Sequence, residues 1–168
     1  MVENLKFKNV AIYSSLNNKT VNSIADQVLE VLSNLGINCL FPSSSRIKSK
    51  NVKRVHIDKT VARRADLVIA IGGDGTLLST ARNFGSFDIP VLGINLGNLG
   101  FLTDINPKEL SSSLIEVAQG NYKEDERFFL EVMIQTFGLQ KKQELDCETN
   151  YVYFYRLHLR VQFLESLL

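Results

Sequence analysis

The chain has little of several things, and each shortage narrows the field. Its two cysteines, Cys39 and Cys147, lie far apart, and Cys39 sits inside an apolar run. That argues against a disulfide framework and fits a reducing compartment, the cytoplasm. The two histidines, His56 and His158, share no metal-ligand spacing with the cysteines, so no zinc site is expected. A formal net charge of +1 gives no global field for nucleic acid or a membrane surface. No apolar run approaches the roughly 18 residues of a spanning helix. The opening MVENLKFKNV lacks a basic-then-apolar leader pattern, so no export is expected. What remains is an ordinary globular composition. At 168 residues the chain suits one compact domain, or one domain plus a fragment of another.

The organisation is that of an α/β protein. NVAIYS (9–14) reads as a buried strand, followed by the polar turn SLNNKT. From Thr20, Val21, Ile24, Val28, Val31, Leu32 and Leu35 recur at helical spacing, and Gly36 stands where a left-handed terminator is wanted. INCLF (37–41) is the next strand, closed by Pro42. Strand, helix and strand with short connections predict parallel pairing. SSSRIKSKNVKRVHIDKT is serine-rich and basic, and reads as a loop running into a short helix near 58–65, either a solvated, mobile surface or a patch that steers anions, the first being the leading expectation. DLVIAI (66–71) has no alternation, as a central strand buried on both faces requires. IPVLGIN (89–95) is another strand. NPKELSSSLIEVAQG then carries a helix signature: Asn106 at the N-cap, Pro107 at the first position, Glu109 behind it, and Gly120 past the end. RFFLEVMIQ (127–135) alternates like a half-buried strand, so the architecture changes character there.

The chemistry concentrates in IAIGGDGTLLST (69–80). A strand end followed by a glycine-rich turn into a helix, here predicted over 76–84, is where open α/β sheets bind ligands. Such a turn offers backbone N–H groups and a positive helix end to an anion. Gly72, Gly73 and Gly75 either take positive φ or let a phosphate touch the backbone. Neither Gly-x-x-x-x-Gly-Lys-Ser/Thr nor Gly-x-Gly-x-x-Gly occurs, so the P-loop and dinucleotide fingerprints do not apply. Without a lysine in the turn, phosphate charge has to be offset by backbone dipoles, a divalent metal or residues elsewhere. Asp74 is an acid in an anion cradle. It either caps the helix or faces a substrate hydroxyl or metal beside the phosphate. In a loose phosphoryl-transfer transition state the proton can leave late, so an aspartate suits the orienting of a hydroxyl.

Gly-Gly-Asp-Gly-Thr at Gly72–Thr76 resembles the motif shared by NAD kinases, 6-phosphofructokinases and diacylglycerol or sphingosine kinases. GINLGNLGFLTDI (93–105) selects among them, because it closely resembles the NAD kinase pattern, and ERFFLEV also fits. The resemblance, to bacterial NAD kinases, covers about residues 9 to 134. It implies a Rossmann-like parallel sheet with flanking helices over 1–122, and over 123–168 the start of a β-rich second domain, incomplete and divergent after about residue 135. It implies ATP-dependent phosphorylation of the adenosine ribose 2′-hydroxyl of NAD to give NADP, with ATP or polyphosphate as donor and Mg2+ as the divalent cation. Asp74 would be the catalytic residue. Gly72, Gly73, Asp74, Gly75 and Thr76 would lie at the nucleotide, with Asn95, Phe101 and Leu102 in the second motif; Asn95 and Asn98 either touch the ligand or order that loop by side-chain turns. Many members carry a basic residue where this chain has Ser79. The small molecules NAD and ATP are the implied partners, with no nucleic acid or membrane, and full-length members are homo-oligomers.

Two motifs of the family's second domain, an Asn-Glu pair and a Gly-Ser-Thr-Ala loop, do not occur. Instead come TFGLQKKQELDCETN and the alternating YVYFYRLHLRVQF (151–163), able to form a long strand. A truncated or frameshifted, non-catalytic remnant of an NAD kinase is the alternative expectation. A lipid or sugar kinase of the same superfamily is weaker, because nothing in those enzymes calls for GINLGNLGFLTD.

Overall fold

Apolar runs without alternation need cover on both faces, and the strands that carry them lie in the middle of a parallel sheet. The structure, a computed structural model, describes residues 5–52, 55–56, 58–96, 105–137 and 150–166. It divides into two units, Met1–Arg127 with Arg160–Leu168, and Phe128–Leu159. In the first unit β1 (Asn9–Tyr13), β2 (Asn38–Pro42), β3 (Val55–His56), β4 (Leu67–Gly72) and β5 (Val91–Asn95) pair in the order β3-β2-β1-β4-β5. Every pairing between these neighbours is parallel. All six residues of β4 are buried, as its unbroken apolar run requires.

Helices cover both faces. α1 (Lys19–Asn34) and α4 (Leu110–Gln119) pack on one side with Val10, Ile12, Ile69 and Ile71. The alternate residues Ala11, Tyr13 and Val68 face Val61 and Ala62 of α2 (Asp58–Ala62) and Phe84 of α3 (Asp74–Phe84). Side chains along a strand point to opposite faces in turn, so one run of apolar residues serves two cores. Asp66 locks the start of β4 to the start of β1: its Oδ2 accepts the N–H groups of Lys8 at 2.8 Å and Asn9 at 2.9 Å.

The helix ends follow the sequence signals. Asn18 Oδ1 accepts the Val21 N–H at 2.8 Å, and Gly36 adopts φ 77°. Asn106 accepts from Lys108 N–H, a 3-10 turn over Pro107–Glu109 leads into α4, and Gly120 ends that helix at φ 93°. α3 departs from expectation by beginning at Asp74 rather than residue 76, because the Leu77 N–H already reaches the Gly73 carbonyl at 3.1 Å. Cys39 is half-buried in β2, and burial pushes its thiol up to about 11. β6 (Tyr122–Phe137) and β7 (Asn150–Ser166) are long strands. Within the first unit, β7 joins the free edge of β5 in parallel through Val91↔Phe163 and Leu92↔Leu164. The described residues of the second unit belong to the remaining parts of β6 and β7.

Candidate functional site

β1 leads by way of α1 to β2 on one side, and β4 leads by way of α3 to β5 on the other. Strand order therefore reverses between β1 and β4, and the crevice beyond their carboxyl ends is where an open α/β sheet receives a ligand. The loop Ser14–Asn18 leaves β1 there, and the turn Gly72–Asp74 leaves β4 beside it. Asn95 ends β5 opposite Gly72 in the same register. The structure thus brings Gly72, Gly73, Asp74, Gly75, Thr76 and Asn95 together. Phe101, Leu102 and Asn98 lie outside the described residues.

The three glycines of the turn have different reasons to be glycine. None adopts positive φ; Gly73, the N-cap of α3, is extended at φ −105°. A Cβ on Gly72 would come within 2.3 Å of Thr76 Oγ1 and 2.6 Å of Thr76 Cβ, so the fold itself requires glycine there. At Gly73 and Gly75 a Cβ would meet nothing within 4 Å. Their missing side chains leave open space beside the turn among the described residues.

Asp74 is the first residue of α3, half-buried, one position beyond the N-cap. A carboxylate in the first turn is favoured by the helix dipole. The N-cap position itself is occupied by Gly73, with Asp74 the next residue. Thr76 is buried and doubly tied: its Oγ1 lies 2.8 Å from Ser15 Oγ, and its carbonyl accepts the Thr80 hydroxyl at 2.8 Å. Asn95 is buried at the end of β5, and its N–H donates to the Ile105 carbonyl at 3.0 Å.

Several residues of this crevice carry no signal in the turn motif. Ser14 Oγ donates to the Ile71 carbonyl at 2.7 Å, and Ser15 reaches Thr76 across 61 residues. Tyr13 OH lies 3.0 Å from Ser79 Oγ and accepts from Asn83 Nδ2 at 3.3 Å. Ser79, where a basic residue was expected from the resemblance, is therefore engaged within the fold. The one available signal was positional, since Ser14 and Ser15 follow the other strand that borders the strand-order reversal.

The basic loop is exposed at Arg46, Lys48 and Lys50, yet its polar groups are tied to the fold. Asp58 Oδ1 accepts the Ser43 hydroxyl and the Ser44 N–H, each at 3.0 Å. Burial opposes ionisation of Asp58, but these hydrogen bonds outweigh it and hold the carboxyl below its ordinary value. Further along, Ser45 and Arg46 bond the backbone of Ser14, Lys48 N–H donates to Asn22 Oδ1, and Ser49 and Asn51 bond the Asp26 carboxylate on α1.

A family model described as the ATP-NAD kinase N-terminal domain matches residues 10–122. Among curated proteins, the NAD kinase of Pseudoalteromonas translucida is 49% identical over 87 residues, covering 52% of this chain and 28% of that one. The NAD kinase of Tolumonas auensis is 35% identical over 136 residues, covering 80% of this chain and 46% of that one. Among solved structures, yeast NADH kinase complexed with NADH superposes with TM-score 0.62 at 24% identity, over 91% of this chain and 47% of that one, a likeness of fold. This chain spans less than half the length of these relatives.

Proposed function

The chain belongs to the NAD kinase family, and from that premise we propose that its crevice serves the phosphorylation of the NAD adenosine ribose 2′-hydroxyl by ATP, giving NADP. The observation that carries this reading is the open space at Gly73 and Gly75 on either side of Asp74. A phosphate can approach the backbone there, and the carboxylate between the two glycines lies beside the hydroxyl that receives it. Asp74 orients that hydroxyl and takes its proton late, as a loose transition state allows. Gly72, held against Thr76, keeps the turn in the geometry that Ser15 and Thr80 secure from either side. Asn95, Phe101 and Leu102 complete the nucleotide contacts in this reading.

No group of three or more His, Cys, Asp or Glu side chains able to hold a metal occurs among the described residues. Magnesium typically binds through one or two carboxylates plus substrate phosphates. Asp74 fits that pattern, so a magnesium ion would arrive with the donor and supply charge neutralisation to the transferring phosphate. Among the described residues no helix is long and apolar enough to cross a membrane. The half-buried free thiol of Cys39 fits the cytoplasm, where we place the reaction.

The test is NADP formation from NAD, ATP and magnesium by the purified chain, with Asp74→Asn as the comparison. The expected outcome is activity that falls by about 100-fold or more in the variant, the range for loss of a group that handles the proton. An Asp74→Asn protein as active as the wild type would remove Asp74 from the chemistry. A chain that NAD stabilises against unfolding but that forms no NADP would keep the binding half of the reading and lose the catalytic half.

A further inference from the structure

The turn that receives phosphate has no cation of its own, since no lysine or arginine occurs in residues 72–79. A basic segment is bonded to the neighbouring strand end. Ser14, at the carboxyl end of β1, is held in three directions. Its N–H donates to Ser45 Oγ at 3.1 Å, its carbonyl accepts the Arg46 N–H at 2.8 Å, and its hydroxyl donates to the Ile71 carbonyl of β4 at 2.7 Å. The next residue, Ser15, meets Thr76 Oγ1 at 2.8 Å. The strap of residues 43–52 is thus bonded to the same strand end that borders the glycine turn. Two hydrogen bonds and one peptide step separate the Arg46 main chain from Thr76.

Ile47 is inserted in the core at 8% exposure, and its neighbours Arg46 and Lys48 are exposed. The strap is secured on both sides of Arg46, to Asp58 through Ser43 and Ser44 and to α1 through Lys48, Ser49 and Asn51. A merely solvated basic loop has no need of such fixation. A guanidinium stands at the end of a long, flexible stem, so an exposed arginine anchored by its main chain beside the strand end can turn toward the crevice. It also offers a planar fork that matches two phosphate oxygens at once.

We propose that Arg46 is a phosphate-binding residue of this crevice, pairing with the polyphosphate chain of a nucleotide seated against Gly72–Thr76. The inference rests on the kinase reading above and supplies the cation that the turn lacks. The polyphosphate belongs either to the donor triphosphate or to the pyrophosphate of NAD, and the two arms of the experiment separate them.

The experiment is titration calorimetry of the whole chain with tripolyphosphate in one arm and NAD in the other. The variants are Arg46→Gln, Arg46→Lys and, on the same strap, Lys50→Gln. Loss of a charge-assisted contact is expected to weaken binding about 10- to 100-fold in Arg46→Gln. Arg46→Lys, which keeps the charge and loses the fork, should fall between Arg46→Gln and wild type, and Lys50→Gln should stay within about twofold of wild type. Weakening of tripolyphosphate alone assigns Arg46 to the donor, and weakening of NAD assigns it to the acceptor. Unchanged binding of both ligands by Arg46→Gln overturns the proposal and leaves the kinase reading standing. An equal loss in Lys50→Gln overturns it too, because a diffuse field then suffices. A wild-type chain that binds neither ligand overturns the kinase reading and this proposal together. Unfolding midpoints in urea should coincide for all four proteins, which keeps the comparison free of folding effects.

Discussion

Gly75→Ala separates a glycine kept for the fold from a glycine kept for a ligand. Gly75 is exposed in the first turn of α3, and a Cβ there meets nothing within 4 Å. Glycine within a helix costs about 0.5–1 kcal/mol relative to alanine. A first-turn site should show the lower figure, so the variant should gain about 0.5 kcal/mol in the absence of ligand. At this chain length a kcal/mol moves Tm by roughly 2–4 °C, so the gain is about 1–2 °C. With NAD present the sign should reverse. A methyl group set into the phosphate approach acts like overpacking, worth about 1–3 kcal/mol against the ligand. The assay is the urea midpoint with and without NAD at 100 times its wild-type Kd. Wild type should gain about 2.7 kcal/mol from the ligand, whereas a variant weakened 100-fold should gain only about 0.4 kcal/mol. Two results would refute the reasoning. Destabilisation of the ligand-free variant by more than about 1 kcal/mol would mean that the fold needs this glycine. An undiminished NAD increment would mean that the open space is not a ligand's.

Gly72→Ala should behave in the opposite way. Its Cβ collides with a Thr76 side chain that is already committed to Ser15, so about 2–4 kcal/mol of stability should be lost without any ligand, by overpacking and a broken hydrogen bond; a urea midpoint equal to wild type would contradict the packing at that turn. Cys39 makes the stability sensitive to alkali. Its folded thiol is pushed up to about 11 by burial, against about 8.5 when unfolded. The thiol's contribution should therefore be complete below about pH 8.5 and lost as pH rises through the folded value. The stability difference between wild type and Cys39→Ala, followed by urea unfolding from pH 7 to 11, should narrow over that window; a constant difference would show that the thiol is not desolvated.

Much of the α/β body was legible because its signals are local. The unbroken run of β4, the helical spacing from Val21 to Leu32, and the terminators Gly36 and Gly120 each depend on residues a few positions apart. The motif around Asp74 was legible for the same reason. The rest of the crevice was not. Ser14 to Ile71, Ser15 to Thr76 and Tyr13 to Ser79 close over 57, 61 and 66 residues, and no periodicity announces such pairs. At the strap, composition pointed to solvent exposure, which Arg46, Lys48 and Lys50 show, but it could not show that hydroxyls and amides there are tied to the fold one after another. The distinct roles of Gly72 and its neighbours also needed the structure, since three identical residues look alike until a missing Cβ is set against what surrounds it.

The central place of β1 has a consequence for how the chain comes to be folded. β1 and α1 can form a unit with β2 as soon as Pro42 has emerged, but the other edge of β1 waits for β4, where Ser14 meets Ile71 across 57 residues. At about 5–20 residues per second of synthesis, that edge stays open for roughly 3–11 s on a ribosome. It is apolar and unprotected by charge along Val10–Tyr13 during that interval, the condition in which a strand pairs with the wrong neighbour. In the finished fold the Asp66 carboxylate, one residue before β4, closes that edge at its start by accepting the Lys8 and Asn9 N–H groups.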